Sequence, residues 1–214
     1  MELHEAVRRR RAVRRFDPSP VAPRVLDRLV DLAARHPSAG GSAGRALLVL
    51  HRPDDVGRFW SAASDDVASP DRWLAGMMTA PVVVLCLADP GAYAERYARP
   101  DKVRARADLG SSPEDPATWP VPWWDVDTGM AGLLLWLAAV DAGLAGCLVG
   151  VPGHRWDTVR EAFGVPAEHR VVAAVALGRA APDQPPARRR RPVGDVVHDG
   201  TFGRPWTALG AEDA

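Results

Sequence analysis

The chain has 214 residues, which is enough for one sizeable domain or at most two small ones. Its 27 basic and 27 acidic side chains give a formal net charge of zero. Domains whose main partner is a nucleic acid usually carry a basic excess, so this balance argues against nucleic-acid binding as the main function. All of the basic residues except Lys102 are arginines.

The cysteines and the apolar stretches point to a soluble chain. Cys86 and Cys147 lie in the apolar runs VVVLCLA and AGCLVG, which favours small buried side chains over a disulfide or a metal pair. The longest apolar stretch, between Asp127 and Asp141, spans 13 residues and is too short to cross a bilayer. The charged N-terminus shows no secretory signal. We therefore expect a cytoplasmic protein with no membrane partner.

Hydrophobic spacing predicts helices and strands in mixed order over the first ninety residues. The clearest helix is amphipathic, with Pro23 in its first turn and Pro37 at its end. The clearest strand is a β-branched apolar run that is expected to be buried on both faces. The predicted helices span residues 2–13, 19–38, 55–66 and 70–80, and the predicted strands span residues 45–51 and 81–89.

The second half of the chain begins with residues 89–124, which are rich in proline, charge and tryptophan but weakly periodic. Such a stretch is typical of a lid or a binding loop. Residues 125–146 are apolar on almost every face and predict a helix in the middle of the core. The remaining predicted elements are strands at 146–151 and 169–180, a helix at 154–164 and an extended arm from about 183 to 214.

This order of elements lacks a clean β–α–β alternation, so it predicts an α+β fold rather than a doubly wound sheet. We expect a single domain over residues 1–214.

The GGSAG run at 40–44 lacks the Lys-Ser/Thr pair of a phosphate-binding P-loop. The six histidines show no ligand spacing, and we expect no metal site.

Three stretches are candidates for ligand binding, and each has an ordinary alternative. The run RRRRAVRR at 8–15 would place Arg10 and Arg14 on one helix face, where they can clamp a phosphate, or it is a solvated face. The small residues of HPSAGGSAG at 36–44 allow close approach of the backbone to a planar ligand, or they form a simple turn. The run RRRRP at 188–192 is, by itself, typical of a solvated tail.

Five segments together resemble the FMN-dependent nitroreductase superfamily, from about Arg8 to Val197. The segments are RRAVRRF at 10–16, PSAG at 37–40, DTGMA through GCLVG at 127–150, VALG at 175–178 and the basic, Pro-rich arm. The resemblance implies an α+β fold with a central, mostly antiparallel sheet flanked by helices and a long buried central helix. It also implies an obligate homodimer with FMN at the interface and the C-terminal arm on the partner subunit.

The resemblance further implies which residues bind the cofactor. The first helix end would hold the FMN phosphate and ribityl chain, and the Pro-Ser loop would contact the flavin of the partner subunit. The segment after the late strand would lie along the isoalloxazine, and the arm would return basic side chains to the phosphate. These groups are, in the same order, Arg10, Arg11, Ala12 and Arg14; Pro37, Ser38, Ala39, Gly40 and Gly41; Gly150, Val151, Pro152 and Gly153; and Arg188 and Arg190.

The implied activity is hydride transfer from NAD(P)H through FMN to a small electron-poor acceptor, such as a nitroaromatic, a quinone or an enone. No side chain is assigned as catalytic, because water can supply the proton and the cofactor carries the chemistry. Trp119, Trp123 and Trp124 are candidates for an aromatic wall over the flavin, where the substrate would bind, with ordinary packing in a loop or at the dimer interface as the alternative.

The sequence departs from the family at three positions of the expected cofactor site. Family members usually have Ser at the position of Ala12, and many have Asn and Gln at the positions of Gly41 and Ala43. These departures remove polar contacts to the flavin. They support a second hypothesis, a family member that binds or sequesters flavin with weak or no turnover.

Overall fold

An antiparallel sheet forms the centre of the fold, and the computed structural model describes it within residues 1–110, 112–184 and 191–207. Contacts group residues 1–184 as one compact unit and residues 185–214 as a second. The long strand β5 pairs with β3, β4 and β1, and β2 pairs with β3. The strands are β1 (Phe16–Asp17), β2 (Arg45–Leu50), β3 (Val82–Ala88), β4 (Ala145–Val149) and β5 (Arg170–Ala180).

Helices cover both faces of this sheet, as the α+β prediction requires. The helices are α1 (Leu3–Arg9), α2 (Pro23–Ala33), α3 (Pro53–Ala63), α4 (Arg72–Met77), α5 (Pro90–Tyr97), α6 (Val103–Arg106), α7 (Trp123–Asp141) and α8 (Trp156–Phe163). The strand β3 is buried along its whole length, so its alternate side chains meet different helices. Val84 and Cys86 pack with α2 and α7, whereas Val83 and Leu85 pack with α3, α4 and α8.

The predicted central helix is confirmed, with different ends. The helix α7 has 19 residues, ten of which are buried, including Asp127 and Trp136. It ends at Asp141 rather than continuing to residue 146. Gly143 has a φ of 75°, and the N–H of Leu144 donates to the carbonyl of Ala139 at 2.8 Å. This left-handed glycine ends the helix and satisfies its last carbonyl groups.

The prediction of a helix through residue 13 is wrong. The helix α1 ends at Arg9, and Arg10 already has an extended ψ of 121°. The following residues pair with β4 instead, because Val13 donates its N–H to the carbonyl of Gly146 at 3.0 Å and buries its side chain in the core. Arg10 and Arg14 therefore do not share a helix face.

The prediction that residues 89–124 contain no clear elements is also wrong. The helix α5 begins at Pro90, and its cap is Asp89, whose side chain accepts a hydrogen bond from the N–H of Gly91 at 2.8 Å. Tyr93 and Tyr97 bury one face of this helix against Trp119 and Trp124. The Asp-Pro pair is a helix start signal that outweighed the weak periodicity.

The second unit is described over residues 191–207. A short turn spans Val193–Asp195, and the N–H of Trp206 donates to the carbonyl of Val197 at 2.9 Å. Arg204 and Asp199 form an ion pair of 3.1 Å. The predicted position of this arm on a partner subunit stays a prediction. Within the described residues, no helix is both long and apolar enough to traverse a lipid bilayer.

Residues 8–15 form the arginine segment. Its close contact with α4 depends on Gly76. A Cβ atom at this position would overlap the carbonyl oxygen of Arg14 and the side chain of Arg15. We expect Gly76→Ala to lower the free energy of unfolding by about 1–3 kcal/mol, because the backbone of residues 14–15 must move. Urea denaturation measures this change.

The matched control is Gly57→Ala in α3, where an added Cβ meets no described atom within 4 Å. Alanine is the better helix former, so this variant is expected to be neutral or more stable by up to about 1 kcal/mol. Equal losses of stability for the two variants would contradict the close contact.

Candidate functional site

The arginine segment is attached to the first residues of β4. Ala12 forms a parallel bridge with Gly146. The guanidinium of Arg10 lies over the ring of Trp136 in α7, 4.5 Å from its centroid. Such a cation–π contact fixes the stem of an arginine without neutralising its charge. The segment is therefore an extended strip held between β4 and the second half of α7.

Arg14 lies close enough to the same strand for its charge to act on Cys147. Burial raises the pKa of Cys147, and the positive charge of Arg14 opposes that rise. Arg11 and Arg14 are exposed and Arg10 is half-buried, so their guanidinium groups are accessible from solvent. The predicted phosphate ligands Arg188 and Arg190 lie outside the described residues.

A cleft of about 210 Å³ lies at the other end of β4 and is lined by Gly150, Val151 and Pro152. Trp60 also lines it, and its buried indole N–H has no hydrogen-bond partner among the described residues. Gly153, the last predicted residue of this group, begins a short turn that leads into α8. Four residues of strand separate Gly146 from Gly150, a distance of about 13 Å. The arginine segment and this cleft thus mark the two ends of one strand.

The Pro37–Gly41 loop is tightly hydrogen-bonded within itself. Ser38 donates its hydroxyl to the carbonyl of Ser42 at 3.0 Å, and Ser42 donates its own hydroxyl to the carbonyl of Ala39 at 2.7 Å. Gly40 and Gly41 have φ values of 66° and 70°, in the left-handed region that favours glycine. These bonds and glycines hold a short 3₁₀ turn in place ahead of β2.

A buried carboxylate anchors this loop to α7. Asp127 is 2% exposed and accepts hydrogen bonds from the N–H of Ala39 at 2.7 Å and from the hydroxyl of Tyr93 at 2.8 Å. Burial raises the pKa of Tyr93, and the hydrogen bond to Asp127 adds to the rise, so the phenol stays protonated as a donor. A charged acceptor makes both hydrogen bonds stronger than neutral ones.

His36 precedes the loop and supports it as a neutral ring. Its Nδ1 lies 2.7 Å from the carbonyl of Pro37 and donates to it. Burial lowers the pKa of His36, with a smaller contribution from the charge of Arg45. Among the described residues, no group of three His, Cys, Asp or Glu side chains is arranged to hold a metal ion.

The three tryptophans predicted to surround the substrate lie in two environments. Trp119 and Trp124 are 6% and 5% exposed and pack with Tyr93 and Tyr97. Trp119 donates its indole N–H to the carbonyl of Pro113 at 3.0 Å. Trp123 is 37% exposed and lines a separate cavity beside the loop.

The predicted site residues therefore fall into two groups at different ends of α7. The loop is attached near Asp127, and the arginine segment is attached near Trp136. Nine residues separate these two positions, which is about 14 Å along the helix axis. The loop and the arginine segment are thus held by opposite parts of one helix.

Sequence reasoning missed Asp127, Tyr93 and Trp136, although one signal was available. Asp127 is an acidic residue in the run that becomes the mostly buried helix α7. Charged residues are almost never fully buried unless they have partners, so its position called for a donor nearby. Nothing in the local sequence identifies Tyr93 or Ala39 as those donors, because both are distant along the chain.

Solved structures share this fold. A nitroreductase candidate from Exiguobacterium sibiricum in complex with FMN has a TM-score of 0.70 at 21% identity, covering 92% of this chain and 96% of its own. An FMN-dependent nitroreductase from Clostridium difficile has a TM-score of 0.65 at 17% identity, with coverages of 92% and 98%. A candidate NADH dehydrogenase or NAD(P)H nitroreductase from Parabacteroides distasonis has a TM-score of 0.67 at 14% identity, with coverages of 94% and 98%. At these identities, the similarity establishes the fold alone.

The family follows from the sequence itself. The model of the nitroreductase family matches residues 7–179, which is most of the chain. The chain therefore belongs to the nitroreductase family, and it is an oxidoreductase. No curated protein matches it in sequence. The match confirms the resemblance on which the cofactor residues were predicted.

The anchor of the loop can be tested with two tyrosines of the same helix. We expect Tyr93→Phe to lower the free energy of unfolding by about 1–3 kcal/mol, because the buried carboxylate of Asp127 loses a donor. The control is Tyr97→Phe, since the hydroxyl of Tyr97 forms no hydrogen bond to a described residue. Thermal and urea denaturation compare the two variants, and a larger effect at Tyr97 would contradict the anchor.

Proposed function

We propose that the chain is an FMN-dependent oxidoreductase that acts in the cytoplasm as a homodimer. It would transfer a hydride from NAD(P)H to a small electron-poor acceptor, such as a nitroaromatic, a quinone or an enone. The observation that carries the proposal is the arrangement around β4, with arginines at its start and a cleft bordered by Gly150, Val151 and Pro152 at its end. The names of the similar structures, which include an FMN complex and an NAD(P)H nitroreductase candidate, support it.

The residues at the start of β4 fit the phosphate end of FMN. Arg10, Arg11 and Arg14 are partly or fully accessible, and guanidinium groups form charge-assisted hydrogen bonds with phosphate oxygens. The side chain of Ala12 has no hydroxyl to offer the phosphate. The three arginines would therefore supply the polar contacts. Arg188 and Arg190 are proposed to add to them from the C-terminal arm.

The ring end of FMN is assigned to the cleft at the end of β4, whose lining also includes Asp65 and Asp66. Gly150 carries no side chain and an added Cβ there meets no described atom within 4 Å, so a planar group can approach the backbone closely. Trp60 also lines this cleft, although its indole N–H is buried and has no partner among the described residues. When bound, FMN would supply hydride transfer at N5, while these residues hold its ring and exclude water.

The Pro37–Gly41 loop is proposed to serve the cofactor of a second subunit. It is attached about 14 Å along α7 from the arginine segment of its own chain. The resemblance to the nitroreductase family, in which this loop contacts the flavin of the partner subunit, supports a shared site. Val126 and Leu133 are 41% and 45% exposed, and with the half-buried Met130 they follow one face of α7. An apolar face of this kind is typical of an interface in a dimer.

The decisive experiment is a visible spectrum of the purified protein with and without added FMN. Flavin that binds and is bleached by NADH or NADPH under nitrogen supports the reductase. Flavin that binds tightly but is not bleached favours the second hypothesis, a flavin-sequestering member, which Ala12, Gly41 and Ala43 motivate. A protein that binds no flavin contradicts both.

The phosphate contact can be tested with paired arginine variants. We expect Arg14→Gln to weaken FMN binding at least about tenfold, which is the range of a lost charge-assisted hydrogen bond. Arg24→Gln, an exposed arginine in α2, is the control and should change the affinity less than about twofold. Titration followed by flavin fluorescence measures both, and equal effects would contradict the assignment.

The shared site predicts that dimerisation and flavin binding are lost together. We expect Leu133→Asp to give monomers that bind FMN at least about tenfold more weakly, because half of each site is removed. Val103→Asp adds the same charge at a residue that is 68% exposed on α6, and it should leave the dimer intact. Light scattering coupled to size exclusion gives the mass, and a monomer with full flavin affinity would refute the shared site.

A further inference from the structure

A cavity of about 450 Å³ lies beside the Pro37–Gly41 loop, within the range typical of small-molecule sites. Ala39 forms part of its wall, so the cavity borders the loop that the proposed function assigns to the flavin. Most of the other lining groups are apolar or aromatic, including Tyr97, Leu109, Val121 and Trp123. Trp123 is the large exposed ring of this wall, since Tyr97 is 9% exposed.

One charge faces this apolar space. Asp108 is the only charged lining side chain within the part of the chain that the structure describes. The neighbouring acids are paired, Asp101 with Arg96 at 2.8 Å and Glu114 with Arg106 at 3.4 Å. The carboxylate of Asp108 has no such partner among residues 1–110, 112–184 and 191–207.

Lys102 contacts an aromatic ring of this wall but does not line the cavity. The ammonium of Lys102 lies 5.8 Å from the centroid of the Tyr97 ring and is not part of the cavity lining. A ligand in the cavity would therefore meet aromatic faces and one negative group. Aromatic faces also attract cations, so both features act in the same direction.

We infer that this cavity is the acceptor site and that it selects planar aromatic acceptors that are neutral or cationic over anionic ones. The inference rests on the proposed function. Trp123 offers a ring on which a flat acceptor can stack, and Asp108 repels an acceptor that carries a carboxylate. For a quinone, the net reaction joins one quinone, one NAD(P)H and one proton to give the hydroquinone and NAD(P)⁺, a transfer of two electrons.

Three acceptors of similar shape test the selection. They are 4-nitrobenzylamine, 4-nitrobenzyl alcohol and 4-nitrophenylacetate, which are cationic, neutral and anionic at pH 7. In each compound, a methylene separates the charged or polar group from the ring. The nitro groups of the three compounds are therefore reduced with similar ease. We expect the flavin-loaded protein to bind the cation about threefold more tightly and the anion about threefold more weakly than the alcohol, the range of an exposed charge pair.

The role of Asp108 is tested by Asp108→Asn with Glu95→Gln as the matched control. Glu95 is exposed on α5 and lines none of the cavities described here, but its substitution changes the net charge equally. The first variant should reduce the cation-to-anion ratio from about tenfold to about twofold, while the control should retain it. Equal ratios for the two variants, or a wild-type protein that binds the anion as well as the alcohol, would overturn the inference.

Two readouts separate this inference from the proposed function. Calorimetry without NAD(P)H measures binding of the three compounds, and kcat/KM with NAD(P)H measures their reduction. Charge-ordered binding without any reduction would refute the reductase but keep the selective site. Reduction of all three compounds with equal kcat/KM and equal affinity would keep the reductase and refute the selection.

Discussion

The helix α7 is buried along most of its length, and both halves of the candidate site are positioned against it. Its second half carries Trp136, which holds Arg10 and contacts the first residues of β4. Its first half carries Asp127, which holds the Pro37–Gly41 loop through the N–H of Ala39. A rigid helix between these positions fixes their separation at about 14 Å. The geometry of the site therefore depends on the packing of one helix between the sheet and α2.

The amino-acid sequence predicts this fold best where burial leaves a simple pattern. The strand β3 and the helix α7 were recognised because long apolar runs have few other solutions in a soluble domain. The end of α1 was misjudged because Arg10 to Val13 have adequate helix propensity, whereas pairing with Gly146 is a tertiary interaction that local sequence does not encode. The helix α5 was missed although its Asp-Pro start was visible, since weak periodicity was given more weight than the capping signal.

The site was predicted largely by resemblance, and its supporting contacts were not. The residues that hold the Pro37–Gly41 loop come from segments more than thirty positions apart in the sequence, so spacing alone could not connect them. The substrate prediction shows the same limit. Trp119, Trp123 and Trp124 form one aromatic run, but only Trp123 retains an exposed ring, because α5 covers the other two. Which face of such a run meets solvent is decided by the neighbouring helix.

The two glycines of the loop differ in what they permit. A side chain at position 40 would collide with the ring of Tyr97 at 2.8 Å, whereas position 41 faces open space and has the same left-handed backbone. Asparagine is among the few residues that adopt this conformation readily. A polar side chain such as asparagine can thus be introduced at position 41 by a single substitution, without rebuilding the turn. Of the two turn positions, only residue 41 can therefore take on a new side chain while the backbone of the loop stays as it is.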